Sequence, residues 1–356
     1  MLYKYLSLAK DSKKYALENI EESILFFNVA SNFNDPFDMN PSTKLTEDKA
    51  NELKKEILDI YPHYKVYIQK LSKNYIKKML DIRVIGGMLN NRYAVTCFTK
   101  NPRNILMWSH YGDKHRGICL GYNIDSTISR EVLNNFIRKS NSTEYSDFFV
   151  AVKETEYSQS RPKLTQDDFV NIKSLEWGYE DEVRLVMRCP LDGKFPGTVS
   201  YDPVFLKEII FGAMCRFDIF IEIINMLEQK TDLQVEVRIA ILDEENFAID
   251  VIPLSSEQIE KLRRIFRDLS SISKENMASF LKHAGLIKHS SKDMKQKWRK
   301  VFHEIPIMMV FNYFFEYSHL SLKTIIEKRR DNRKIEADEE LYYALSLLYV
   351  KNMYNR

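Results

Sequence analysis

Glu182-Val-Arg-Leu-Val-Met-Arg188 alternates at the two-residue period of a β-strand, with Val183, Leu185 and Met187 on one face. Trp177-Gly-Tyr-Glu-Asp181 leads into it, so Glu180, Glu182 and Arg184 are expected along the opposite face of one extended segment. Two carboxylates on one side raise each other's pKa, and an adjacent arginine lowers them. Such a set can hold one acid and one base, or position a ribose hydroxyl through charged hydrogen bonds. A surface ladder of cross-strand ion pairs accounts for the same letters, and the residues alone leave both readings open.

Outward from this segment, β-branched and aromatic runs predict further strands at Leu2–Leu6, Ile24–Asn28, Tyr93–Phe98, Gly117–Tyr122, Val150–Tyr157, Phe205–Phe211, Val235–Ile241 and Phe247–Ile252. Helical spacing is read at Lys13–Asn19, between Thr46 and Leu80 with a break at Pro62, and at Asn104–Tyr111, Gln166–Leu175 and Arg216–Glu228. Beyond Pro253 the strand pattern ends. Ile259–Leu269, Lys274–Ala284, Met294–Tyr313, Leu322–Arg330 and Asp338–Met353 read as amphipathic or apolar helices. The expected organisation is a mixed α+β domain over residues 1–253 with a helical domain appended over residues 254–356.

Hydrophobic residues make up 44% of the 356, which suffices to bury a core. No apolar run reaches the roughly 18 residues of a membrane helix; Ile305–Phe315 comes nearest and is interrupted by Pro306 and Asn312. The N-terminus lacks the basic-then-apolar layout of a signal peptide, and Cys97, Cys119, Cys189 and Cys215 have neither CxxC nor zinc-ligand spacing. A cytoplasmic protein without a resident metal is the expectation. From Pro253 onward 20 Lys/Arg face 13 Asp/Glu. That basic balance suits contact with nucleic acid or an acidic protein, with Lys295, Lys297, Arg299 and Lys300 following a bend at residues 285–291. Solvated helix faces give the same count. The apolar side of Ile305–Phe315 suits either a core or an oligomer interface.

Two other stretches carry candidate chemistry. Ser31-Asn-Phe-Asn-Asp-Pro-Phe-Asp38 is dense in turn formers, and Asn34, Asp35 and Asp38 can order a ligand or cap their own turn. Leu106-Met-Trp-Ser-His-Tyr-Gly112 places His110 toward a cleft, where it can act as acid or base near neutrality, with Trp108 and Tyr111 packing beside it. Ser109 has no Gly-x-Ser-x-Gly elbow, so a hydrolase triad is disfavoured. No Gly-x-Gly-x-x-Gly or Walker sequence supports a Rossmann or P-loop nucleotide site.

These stretches, together with Leu2-Tyr-Lys-Tyr5, His115-Arg-Gly-Ile-Cys119, Trp177–Arg184 and Phe205-Leu-Lys-Glu-Ile-Ile-Phe-Gly212, resemble in order and spacing the bacterial family known as domain of unknown function 2971. The layout is also similar to that of the ADP-ribosyltransferases, with a mixed, split β-sheet core. Those enzymes open with a strand whose polar residue meets the adenosine side of NAD. They end with a strand led by a glutamate that stabilises an oxocarbenium-like transition state. By that resemblance the chain uses NAD or a related nucleotide, with Glu182, Glu180 and His110 catalytic. Tyr3, Lys4, Asn34, Asp35, Trp108, Tyr111 and Arg184 would hold the nucleotide. Lys4 stands where those enzymes carry Arg or His. A phage-defence or toxin effector is the role implied. The alternative is a non-enzymatic binding module acting through its basic helices.

Overall fold

The computed structural model describes residues 1–29, 32–39, 47–60, 62–72, 74–75, 93–127, 129–137, 150–160, 170–188, 197–231, 233–286 and 294–354. Its strands are β1 (Leu2–Leu6), β2 (Ile24–Phe26), β3 (Asn28–Val29), β4 (Tyr93–Thr99), β5 (Ile118–Tyr122), β6 (Val150–Glu154), β7 (Glu156–Ser158), β8 (Ile172–Ser174), β9 (Glu182–Arg188), β10 (Thr198–Ser200), β11 (Leu206–Phe211), β12 (Glu236–Leu242) and β13 (Ile249–Pro253). Its helices are α1 (Lys13–Glu21), α2 (Glu47–Ile60), α3 (Lys65–Gln69), α4 (Ile105–His110), α5 (Arg130–Phe136), α6 (Phe217–Gln229), α7 (Ser256–Ser270), α8 (Lys274–His283), α9 (Met294–Trp298), α10 (Ile307–Phe314), α11 (Leu322–Arg330) and α12 (Ala337–Tyr354). The architecture is α+β with mixed parallel and antiparallel pairing. No helix of the described residues is long and apolar enough to cross a membrane.

The chain forms two compact units, each drawn from separated stretches. The first comprises Met1–Leu2, Glu22–Asn101 and Ile124–Phe205. At its heart β9 pairs antiparallel with β4 on one side and β6 on the other, and β3 continues beyond β4. An antiparallel strand usually wets one face. This one does not: Val183, Leu185 and Met187 are buried on one side, and Glu182, Arg184 and Val186 on the other. Val186 joins Met39, Tyr93, Val95 and Val170 in a hydrophobic cluster, so the charged part of this face continues an apolar one.

The expected helix at 166–175 is not what forms. Residues 166–169 lie outside the described residues, and Ile172–Ser174 is β8, parallel to β7. A 3-10 helix, Leu175–Glu180, follows and ends on Asp181 in the left-handed conformation at φ 43°. Asp tolerates that region better than most residues. Glu180 therefore sits before the bend and not on β9, which corrects the expectation of one continuous strand.

The second unit comprises Tyr3–Glu21, Pro102–Asn123 and Leu206–Arg356. Its strands run in the order β13-β12-β11-β5-β1. β11 and β12 are parallel and so need a crossover, which α6 supplies with Phe217, Phe220 and Ile223 fully buried. After Pro253 the described chain is helical. The Met294–Tyr313 stretch, expected as one helix, is divided into α9, a π-helical turn at Arg299–His303, and α10. Pro306, with no N–H to donate, stands at the break. The flanking backbone turns outward: Phe217 N donates to Ile305 O at 2.8 Å and Ile307 N to Cys215 O at 2.7 Å. Ile305, Ile307, Val310 and Phe314 are fully buried, so this apolar side is core.

Candidate functional site

Six charged residues are buried among those described: Asp35, Asp38, Lys173, Glu180, Glu182 and Arg184. All belong to the first unit. β9 supplies Glu182 and Arg184 two residues apart on one face, and Arg184 Nη2 donates to Glu182 Oε2 at 3.0 Å. The same nitrogen donates to Asp38 Oδ2 at 2.7 Å, and Arg184 Nη1 donates to the Val170 carbonyl at 2.6 Å. Lys173, on β8, bonds Glu180 Oε2 at 2.5 Å and lies 3.6 Å from both Asp38 and Glu182. Thr155 Oγ1 donates to Glu182 Oε2 at 3.3 Å, and the Glu182 N–H donates to Tyr157 Oη at 2.8 Å. Asp35 Oδ1 accepts from Phe37 N, which shapes the turn that delivers Asp38.

Burying an ion costs several kcal/mol unless it is paired, and the electrostatics follow from that. Burial alone would raise the Glu182 pKa, but Arg184 and Lys173 outweigh it and hold the carboxyl down at about 2. Burial would lower Lys173, and Glu182, Glu180 and Asp38 instead raise it well above its ordinary value. Arg184 is likewise raised, by Glu182 and Asp38 against burial. Burial pushes the Tyr157 phenol up to about 12, although the hydrogen bond from Glu182 N–H works the other way. The buried set holds four acids and two bases. Asp35 Oδ2, Asp38 Oδ1, Asn171 Oδ1 and Arg184 Nε have no hydrogen-bond partner among the described residues. Three acceptors and one donor thus lack the partner that buried polar groups ordinarily have, among the described residues.

The structure brings Glu180, Glu182 and Arg184 together, but through Lys173 and in the interior, not as a surface ladder. Asn34 is exposed in the turn beside Asp35. The other expected residues belong to the second unit. There Tyr3 is half-buried, its phenol raised to about 12 by burial and by Glu208. Lys4 is partly exposed on the next position of β1. Trp108 is fully buried, with Nε1 donating to the Pro102 carbonyl at 2.9 Å and Tyr5 edge-on at 5.0 Å. Tyr111 is partly buried and His110 exposed. The histidine engaged with Ser109 is His115, at 3.2 Å from Nε2 to Oγ. Its ring stacks on Trp108, and burial lowers its pKa. His115 Nδ1 has no hydrogen-bond partner among the described residues, so the carboxylate of a relay is missing there.

Lys173 is the residue that sequence reasoning missed. The available signal was weak: an isolated lysine between Ile172 and Ser174, read as part of a helix. Among the described residues no group of three His, Cys, Asp or Glu side chains is arranged to hold a metal ion. In the basic helices, Arg299 pairs with Asp218 and Glu304, and Lys297 caps the Leu286 carbonyl.

Comparison with protein families matches residues 107–185 to Protein of unknown function (DUF2971). The likeness to that family is carried by this segment. The DUF2971 segment begins one residue before Trp108 and includes Lys173, Glu180, Glu182 and Arg184. No curated protein and no solved structure matches the chain.

Proposed function

We propose that this protein handles a nucleotide such as NAD in the manner of an ADP-ribosyltransferase, with Glu182 as its central carboxylate. The observation that carries the reading is the gathering of the buried Asp38, Lys173, Glu180 and Arg184 around Glu182, with Glu182 held ionised. Perturbed, buried charges concentrate at functional sites. A fixed anion favours a ligand that is cationic or becomes so. In NAD the nicotinamide ring carries positive charge. When its glycosidic bond breaks, the electron pair leaves with nicotinamide and the charge moves to the ribose. Glu182 would stabilise that ribose cation, Arg184 and Lys173 would hold Glu182 in place, and Glu180 would balance Lys173. The acceptors Asp35 Oδ2 and Asp38 Oδ1 and the donor Arg184 Nε suit the hydroxyl and carboxamide groups of such a ligand. A phage-defence or toxin role accords with this chemistry.

The test is nicotinamide release from NAD by purified protein with cell extract as acceptor source. Glu182→Gln is expected to lower the rate by about 100-fold or more, the usual effect of removing a charge-stabilising group. Glu182→Asp keeps the charge and reports on placement, and thermal melts of both variants check the fold. Release by folded Glu182→Gln at the wild-type rate, or none by wild type with any extract, would overturn the reading. The alternative binding module through the basic helices draws less support, because Arg299 and Lys297 are already engaged within the protein.

A further inference from the structure

Helix α12 buries one side and leaves the other apolar. Tyr342, Tyr343, Ser346, Tyr349 and Val350 face inward. Tyr342 stacks on Tyr317, and Tyr349 Oη donates to the Val301 carbonyl at 3.1 Å. On the opposite side Leu341 is 51% and Leu348 56% exposed, with Ala344 exposed and Leu345 partly so between them. Spacings of three and four residues bring these onto one stripe. The stripe ends in opposite charges. Asp338 lies one turn before Leu341, its side chain 59% exposed, meeting His319 only at 3.9 Å. Lys351 lies one turn after Leu348, exposed and without an ion pair among the described residues. Glu339 and Glu340, by contrast, are already paired with Lys328 and Arg329.

The order Asp338, Leu341, Ala344, Leu345, Leu348, Lys351 reads the same in spacing from either end, with the charge reversed. We propose that this stripe is the interface of a twofold dimer, in which α12 of one chain lies antiparallel on α12 of a second copy. In that register Leu341 meets Leu348 of the second copy, Ala344 meets Leu345, and Asp338 meets Lys351. The same contacts recur across the axis, as an isologous interface requires. The charge complementarity selects a second copy over an unrelated helix: each end of the stripe finds its opposite only when the helix pairs with itself in reverse. Six residues a side fall well short of the about 20–30 of a standard interface, so the association is weak and reversible.

Sedimentation equilibrium of the full chain over a range of concentrations tests this. The wild type is expected to dimerise reversibly, and Leu348→Lys to be monomeric. Asp338→Lys and Lys351→Asp alone are each expected to weaken the dimer about tenfold, since both rim pairs turn repulsive. The two changes together restore it. Circular dichroism melts confirm that each variant folds. A wild type that stays monomeric throughout would overturn the proposal, as would a dimer indifferent to Leu348→Lys and to both charge changes.

Discussion

Arg184 has no exposed surface and spends its guanidinium on Glu182, Asp38 and the Val170 carbonyl. Replacing it with Met leaves buried carboxylates with Lys173 as the one remaining buried cation among the described residues, and the loss should be about 3–5 kcal/mol in urea unfolding. Glu182 makes a second prediction. Its folded pKa of about 2 lies below its ordinary value of 4.5. The stabilisation is therefore complete above pH 4.5 and lost as pH falls through about 2, an amount on the order of 3 kcal/mol. Acid titration of wild type and Glu182→Gln should show a steeper loss for wild type in that window. Parallel curves would show that Glu182 is not held ionised by the fold. At this scale Glu182 and Arg184 were legible in the sequence, because strand alternation alone sets them on one face. Lys173 was not, because its bond to Glu180 depends on the short strand β8 and the 3-10 helix that follows it, neither of which the hydrophobic pattern marks. Ser109 likewise sits beside His110 in sequence, yet its partner His115 is brought to it by a left-handed run at Asp113, Lys114 and His115.

At the scale of elements, the loop after α4 is confined by glycines. A Cβ on Gly212 would stand 2.3 Å from the His115 carbonyl oxygen and 2.9 Å from Trp108 Cζ3. Backbone cannot yield as a flexible side chain does. Gly212→Ala should lower stability by about 3 kcal/mol or more, at the upper end of overpacking costs, read by thermal melting. Unchanged stability would mean that the loop does not close on Trp108. Strands with β-branched alternation, such as β4, β9, β11 and β12, were readable from pattern. The stretch from Ile172 to Asp181 was not. Its short parallel strand and 3-10 helix are fixed by pairing with β7 and by the left-handed Asp181, neither of which leaves a periodic trace. Near Pro306 the apolar run persisted through a break that the missing N–H imposes, so hydrophobic period alone overstated the helix.

At the scale of the molecule, α+β character followed from element order, but the membership of each compact unit did not. Leu206–Arg356 joins Tyr3–Glu21 and Pro102–Asn123. Those associations depend on strand pairing and on backbone bonds such as Phe217 N to Ile305 O, which one sequence does not announce. The self-complementary stripe on α12 shows its meaning only once exposure separates it from the buried tyrosines. The nucleotide reading rests on one site, and calorimetric titration of NAD into the purified protein tests it most directly. The account predicts saturable binding at one NAD per chain by wild type, and binding strongly weakened in folded Glu182→Gln. No heat of binding to folded wild type, or equal affinity in the two proteins, would contradict it.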